Sequence, residues 1–281
     1  MLTWLTEAEF DRYVDWAYGL ALDLTRSGYP TYADGIKTRE NFISRARNGM
    51  ARENEEVLLH RVGGDVCGWI HWFWLAEDGY AHTCSFLTAS HAEEAMSEFV
   101  AYAAERRPGY ALHLGFPTDN ACAVRCLDAQ GFRLIEESVN HTLFFDAYTP
   151  EETTSAVARM SGSEDEAAFR AVHTETDMYW TADRILADIS HWQVYLYREG
   201  DRPQAALFAH VDADGWPEIF GIVGADSPEA YQALMAACLN DCKAAGCAHM
   251  TYFEDDERRL PVLAGLGFQV VSRYVCYQRI L

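Results

Sequence analysis

The spacing of apolar and polar positions changes repeatedly along the chain, and each change marks an element. Positions 2–5 form a short apolar run, a strand. Thr6 with Glu9 three residues on is a capping box. Phe10, Val14, Ala17 and Leu20 then recur at helical spacing. A loop with aromatic residues, Gly and Pro covers 27–35, and a second helix is predicted over about 38–48. Strands follow at 56–62, 66–75 and 80–87, with turns at Gly63-Gly64-Asp65 and Glu77-Asp78-Gly79. Ser90-His91-Ala92-Glu93 reads as another capping box, opening a helix to about 106. A strand at 110–116, a helix at 119–130 and a long strand at 132–145 complete the run. In strand 66–75, Trp69, His71 and Phe73 alternate with Ile70, Trp72 and Trp74. Both sets are apolar, so the strand is expected to be covered on both faces, by packing between domains or subunits.

The same order then recurs. Predicted strands lie at 156–160, 192–198, 204–211, 218–223, 248–253 and 268–280. Predicted helices start at Ser163-Glu164-Asp165-Glu166, cover 182–189, run from Ser227-Pro228 to about 245, and cover 256–265. Gly131-Phe132 returns as Gly267-Phe268, 136 residues later, and Asp78-Gly79-Tyr80 returns as Asp214-Gly215-Trp216 at the same offset. Further back the offset slips by one, Val57 to Arg61 against Val194 to Arg198. Shared spacing inside a shared order of elements indicates a duplicated unit. The polar, Pro-containing stretch Asp146-Ala147-Tyr148-Thr149-Pro150-Glu151-Glu152 separates the copies. The expected domains are therefore 1–148 and 149–281. Each is a mixed α/β unit: strand, two helices, three-strand meander, helix, strand, helix, strand. That order is not the simple βαβ alternation of a Rossmann fold.

Composition narrows the function classes. The 281 residues are 49% hydrophobic, enough for two domains with real cores. Lys and Arg number 22 against 43 Asp and Glu, a formal charge of −21. Such a surface repels polyanions, so nucleic acid and anionic membranes are disfavoured and an amine-bearing small molecule is easier to attract. The N-terminal residues show no signal peptide, and no apolar stretch approaches the roughly 20 residues of a membrane helix. Eight cysteines in a chain of this length are expected to be reduced thiols of a cytoplasmic protein.

The stretch Asn120-Ala121-Cys122-Ala123, followed by Leu127 and then Gly131-Phe132, carries a resemblance. With the order of elements, it resembles the GNAT N-acetyltransferase superfamily: Asn, two residues, Ala, three residues, usually Tyr, three residues, Gly-Phe. The resemblance covers nearly the whole chain, twice, and implies a tandem GNAT-like fold using acetyl-CoA as co-substrate. In that superfamily the fourth and fifth strands splay and the pantetheine arm enters the wedge. The pyrophosphate sits on N–H groups at the start of the next helix. The resemblance places the cofactor on Phe86, Leu87, Thr88, Ala95 and Asn120 in the first half, and on Ile222, Val223 and Gly224 in the second. The sequence departs from the family loop: Ala92 and Pro228 stand for its Arg or Gln, and Ala95 and Tyr231 for its first Gly. Small residues and Asn120 make the first half the better CoA site.

Amide formation needs a base for the amine proton and an acid for the departing thiolate. The resemblance points to a fourth-strand carboxylate, Glu218, and at the 136 offset to His82; a solvated strand-end residue is the alternative for both. The usual acid Tyr is absent at Leu127 and Leu263. The resemblance places the acceptor side at Tyr29, Tyr32 and Asp34, matched by Asp177, Tyr179 and Trp180; aromatic faces beside a carboxylate suit a cation, and aromatics packing a surface loop onto the core are the alternative. The pairs Cys122/Cys126 and Cys238/Cys242 sit at i, i+4 with no further ligands at compatible spacing, so core thiols and no metal are expected. Two readings follow. One is an N-acyltransferase for a small amine with one active half, a monomer pairing its own domains or a homodimer. The other is a catalytically silent GNAT-like module that binds a ligand or protein.

Overall fold

The computed structural model describes residues 1–176, 178–211 and 216–281; Asp177 of the acceptor loop and the Asp214-Gly215 turn lie outside the described residues. The first half runs β1 (Leu2–Trp4), α1 (Glu7–Ala21), α2 (Arg39–Ala51), β2 (Glu55–Val62), β3 (Asp65–Leu75), β4 (Tyr80–Thr88), α3 (Ala92–Arg106), β5 (Ala111–Pro117), α4 (Ala121–Ala129) and β6 (Arg133–Phe144). The second half runs β7 (Val157–Arg159), α5 (Ser163–Val172), α6 (Ala182–Ala187), β8 (Trp192–Glu199), β9 (Arg202–His210), β10 (Glu218–Val223), α7 (Pro228–Ala244), β11 (His249–Glu254), α8 (Leu260–Gly265) and β12 (Gln269–Ile280). This is the predicted order in both halves.

Local chemistry accounts for most boundaries. Thr6 and Glu9 form the expected capping box at α1, and Thr38 forms one with Asn41 at α2. Ser227 caps α7, its Oγ accepting from Ala230 N at 3.1 Å, with Pro228 at the first helical position. Two expected boxes are absent. His91, in a left-handed conformation with φ of 58°, is the residue before α3, and its side chain makes no capping bond. A box needs an extended cap residue, so Ser90 and Glu93 cannot reach each other's N–H groups as predicted. At α5 the cap is Gly162. Helix α8 starts four residues later than predicted, because Asp256 spends its carboxylate on the Arg258 N–H and guanidinium in a turn.

The compact units do not follow the duplicated sequence. The expected boundary is at 148/149, whereas the units are 1–139 with 271–281, and 140–270. The reason is an exchange of last strands. β12 lies antiparallel to β5, from Tyr274↔Pro117 to Ile280↔Ala111. It gives Val275 and Tyr277 to the first unit's core. The end of β6 neighbours β11 in the second unit, with Leu143 and Phe145 in that core.

Within the first unit the sheet order is β1-β2-β3-β4-β5-β12. One face packs under α1 and α2 through Phe10, Val14, Phe42 and Trp69. The other packs under α3 and α4 through Trp72, Phe99 and Leu127. Strand β3 is thus covered twice by helices of its own unit, not by packing between domains or subunits. In the second unit the order is β6-β11-β10-β9-β8-β7. Phe169, Ile185, Trp192 and Phe208 fill the α5/α6 face. Tyr231, Leu234, Cys238 and Leu263 fill the α7/α8 face. All eight cysteines are free thiols. Among the described residues, no helix is long and apolar enough to cross a membrane.

Candidate functional site

A β-bulge recurs at the repeat offset. On β4 the extra residue is Cys84, since His71 pairs with Ser85 and Trp72 with Thr83. On β10 it is Phe220, between the pairs Ile219↔Ala209 and Gly221↔Phe208. A bulge bends its strand and raises the twist. The parallel pairing to the next strand ends close by, at His82↔His113 in the first unit and Ile219↔Tyr252 in the second. Past those pairs each unit has a wedge between two parallel strands.

In the first unit the wedge is filled by the protein's own chain. Thr88 N donates to Arg26 O at 3.1 Å, and Tyr29 N donates to Gly115 O at 2.9 Å. Segment 26–29 therefore bonds to both walls, β4 and β5. Asn120 fastens it from below: Nδ2 donates to Ser27 O at 3.1 Å, while Oδ1 caps α4 by accepting from Ala123 N. Ser27 and Gly28 are buried. A Cβ on Gly28 would lie 3.3 Å from both Phe86 and Phe116, so the slot fits glycine closely. The first-half cofactor residues are thus occupied in other ways. Phe86 packs on Phe99 and Phe116, Leu87 belongs to the α1/α2 core, and Ala95 is buried inside α3.

The expected first-half acceptor residues also make contacts within the first unit. Tyr32 is a core residue edge-on to Tyr18 and Phe42, and burial pushes its phenol pKa up. Asp34 accepts from Ile36 N in a turn. Tyr29 is half-buried, with its ring 5.2 Å from Tyr274. His82 makes a 2.8 Å bond from Nδ1 to Thr83 O, and burial lowers its pKa, keeping the ring neutral at pH 7.

Sequence reasoning missed the polar cluster under α2. Arg45 bridges Glu55 and the Cys84 thiol, Arg52 bonds Glu55 at 2.8 Å, and His71 Nε2 lies 2.8 Å from Glu55 Oε2. Burial alone would raise the Glu55 pKa, but bonds from His71, Arg45 and Arg52 hold it down at about 2. Burial pushes the Cys84 thiol up to about 12, so it is protonated and a poor nucleophile. Gly49 is needed here: a Cβ would stand 2.2 Å from His71 Nε2. No sequence motif links these residues, because they converge from α2, β2, β3 and the β4 bulge.

In the second unit the described part of the loop between α5 and α6 lies on the sheet face. His173 Nε2 is 2.8 Å from Trp180 O, and its ring stacks on Phe208 at 5.0 Å. The Trp180 ring packs 4.9 Å from Trp192 and 5.8 Å from Phe220 at the bulge. Tyr179 is 38% exposed, with the Arg184 guanidinium 4.2 Å from its ring centre. Glu218, half-buried, pairs across the ladder with His210, which pairs with Trp192. Glu218, His210, Trp192 and Phe220 thus share the α5/α6 side of the sheet, beside the end of the parallel pairing. His210 was not legible in the sequence; only the β9–β10 register brings it opposite Glu218.

At the foot of the second wedge Ile222 and Val223 are buried, and Gly224 turns with φ of 71° where a Cβ would be 2.3 Å from Gln204 O. Tyr231 and Tyr252 hydroxyls both donate to Glu254 at 2.9 Å, and Asp256 N donates to the same carboxylate. Arg259 reaches across to Ala225 O at 3.2 Å and lies 3.7 Å from Glu254. Burial is the largest influence on Glu254 and raises its pKa.

Comparison with solved structures decides the fold. A GCN5-related N-acetyltransferase from Sphaerobacter thermophilus matches 99% of this chain over 95% of its own, with a TM-score of 0.66 and 10% identity. A tandem GNAT protein from the clavulanic acid biosynthesis pathway matches 99% of this chain over 98% of its own, with a TM-score of 0.53 and 12% identity. A putative acetyltransferase from Pyrococcus horikoshii matches the full chain over 89% of its own, with a TM-score of 0.54 and 10% identity. The fold is the GNAT fold, built twice. No family model matches the chain, and no curated protein matches it in sequence. At these identities the likeness is one of fold alone, and function rests on the residues of the site. The two bulges mark the GNAT splay in both units.

Proposed function

We propose that the protein is an acyl-CoA-dependent N-acyltransferase acting on a small amine, with the second unit active and the first structural. The observation that carries this reading is the plugged first wedge. Its β4 and β5 backbone groups bond to segment 26–29, whereas the described part of the corresponding second-unit loop packs on the sheet face. In this reading the acyl thioester enters between β10 and β11, with its carbonyl at the Phe220 bulge. Glu218, on the aromatic side of the sheet with His210, takes the proton of the attacking amine. The amine nitrogen bonds to the thioester carbonyl carbon, the C–S bond breaks, and the CoA thiolate leaves and is protonated. Trp180, Trp192 and Phe220 form an apolar floor that excludes water around the reacting centre.

The second reading is a silent binding module, favoured by the side chains at the foot of the second wedge. Tyr231 stands where the superfamily loop has its first glycine, and its hydroxyl is tied to Glu254. Calorimetry of acetyl-CoA binding to the full chain, followed by hydrogen–deuterium exchange, tests both readings. The acyltransferase reading expects saturable 1:1 binding and added protection over 220–226 and the first turn of α7. Protection over 86–95 would move the site to the first unit. Absence of binding would leave the silent module.

A further inference from the structure

On the α3 side of the first unit, three groups converge that lie far apart in sequence. His60 is on β2, opposite Leu2 on one side and Gly68 on the other. Its ring is fully buried, and neither Nδ1 nor Nε2 has a hydrogen-bond partner. An unpaired buried polar atom is destabilising, and an apolar side chain of similar size would avoid that cost. Nε2 instead points at a carboxylate, 3.5 Å from Glu98 Oε2. Glu98 and Glu94 stand four apart on α3, hence on one face of the helix. One ligand atom from each of His60, Glu94 and Glu98 lies within 4.8 Å of the others. His91, just before α3, lies 3.5 Å from Glu94 Oε2 through Nδ1. The Met1 amine lies 2.6 Å from Glu98 Oε2 and 2.8 Å from Oε1, so a cation already sits on the carboxylate that faces His60.

We propose that His60, Glu94 and Glu98 bind one divalent transition cation of the zinc type, with His91 orienting Glu94. Imidazole nitrogen with carboxylate oxygen suits zinc, cobalt or nickel; calcium and magnesium take oxygen ligands alone. Tetrahedral zinc with bonds of about 2.0–2.2 Å spaces its ligand atoms about 3.4 Å apart. Glu94 and Glu98 are 48% and 34% exposed along their side chains, so both have room to close that gap. The bound ion would tie β2 to the start of α3, displace the Met1 amine from Glu98, and supply the missing partner of His60. Its fourth position is open to water.

The test uses the full chain freed of metal by a chelator. Zn²⁺ is titrated calorimetrically and Co²⁺ by its visible d–d absorption. The expected result is one equivalent of either ion, a raised Tm, and a cobalt spectrum without thiolate charge transfer. Glu94→Gln with Glu98→Gln changes one exposed and one half-buried side chain without altering their size, and leaves the apolar core intact. It should weaken binding by more than the roughly 10–100-fold that loss of an outer-shell partner costs. His60→Gln should do the same, with circular dichroism checking its fold. The pair Cys122→Ser and Cys126→Ser should leave binding unchanged. Failure of the wild-type chain to bind either ion, or binding that survives the double Glu→Gln change, would overturn the site.

Discussion

Glu55 shows how one buried carboxylate can organise a helix and a sheet. Its side chain is 3% exposed and is met by Arg45, Arg52 and His71. Glu55→Gln removes the charge those three groups share. It should lower stability by about 1.5–3 kcal/mol, the worth of a hydrogen bond to a charged group, measured by urea unfolding. The pH dependence has a definite sign. The Glu55 pKa in the folded protein is about 2, below the ordinary 4.5. Its contribution is therefore complete above the ordinary value and is lost as pH falls towards about 2. In the Glu55→Gln variant the unfolding free energy should fall less steeply between those values. Glu218 belongs to the same scale but to chemistry. As the base of the proposed reaction, Glu218→Gln should lower kcat about 10²–10⁴-fold with acetyl-CoA affinity retained. Unchanged turnover would remove Glu218 from that role.

Segment 26–29 behaves as an extra half-strand, because it satisfies backbone groups that a splayed pair would leave unpaired. Gly28 sits 3.3 Å, measured from an added Cβ, from two aromatic side chains. Gly28→Val has no room and should cost about 1–3 kcal/mol by overpacking, read from thermal unfolding. Exchange of the Thr88 and Tyr29 amides should accelerate in that variant, since each bonds across the wedge. Equal protection in variant and wild type would show that the segment is not held there. The loop was legible as a loop from its Gly, Pro and aromatic residues. Its entry into the wedge was not, because Ser27-Gly28 looks like any turn dipeptide until β4 and β5 are seen to part. Asn120 is the same kind of case: the motif was readable, and its partner, Ser27 O, was 93 residues away.

On the scale of the whole molecule, the exchange of β6 and β12 makes each unit depend on a strand from the other copy of the repeat. Seven register pairs join β12 to β5, from Tyr274↔Pro117 to Ile280↔Ala111. Removing 271–281 bares the β5 edge and takes Val275 out of the first core, where a buried Val is worth about 1.5–3 kcal/mol. The truncated chain should lose protection along β5 and become sensitive to proteolysis there, with 140–270 less affected. A fragment cut at 148/149, as the repeat alone suggests, should leave β5 without its partner and fold poorly. Recovery of a cooperative melt on mixing 1–148 with 149–281 would support the exchange. A cooperative melt from 1–148 alone would count against it.

The sequence by itself determined the elements and their duplication. Apolar period, caps at Thr6, Thr38 and Ser227, and the glycines before Phe132 and Phe268 act over a few residues, and such short-range physics is written locally. Tertiary structure alone decided which strand closes which sheet, because β6 and β12 both leave a helix through a Gly-Phe pair and either satisfies a strand edge. It also decided what fills the first wedge, which residue faces Glu218, and that His60 meets Glu94 and Glu98. Each of these joins residues from different elements, and no spacing along the chain records a distance across the fold.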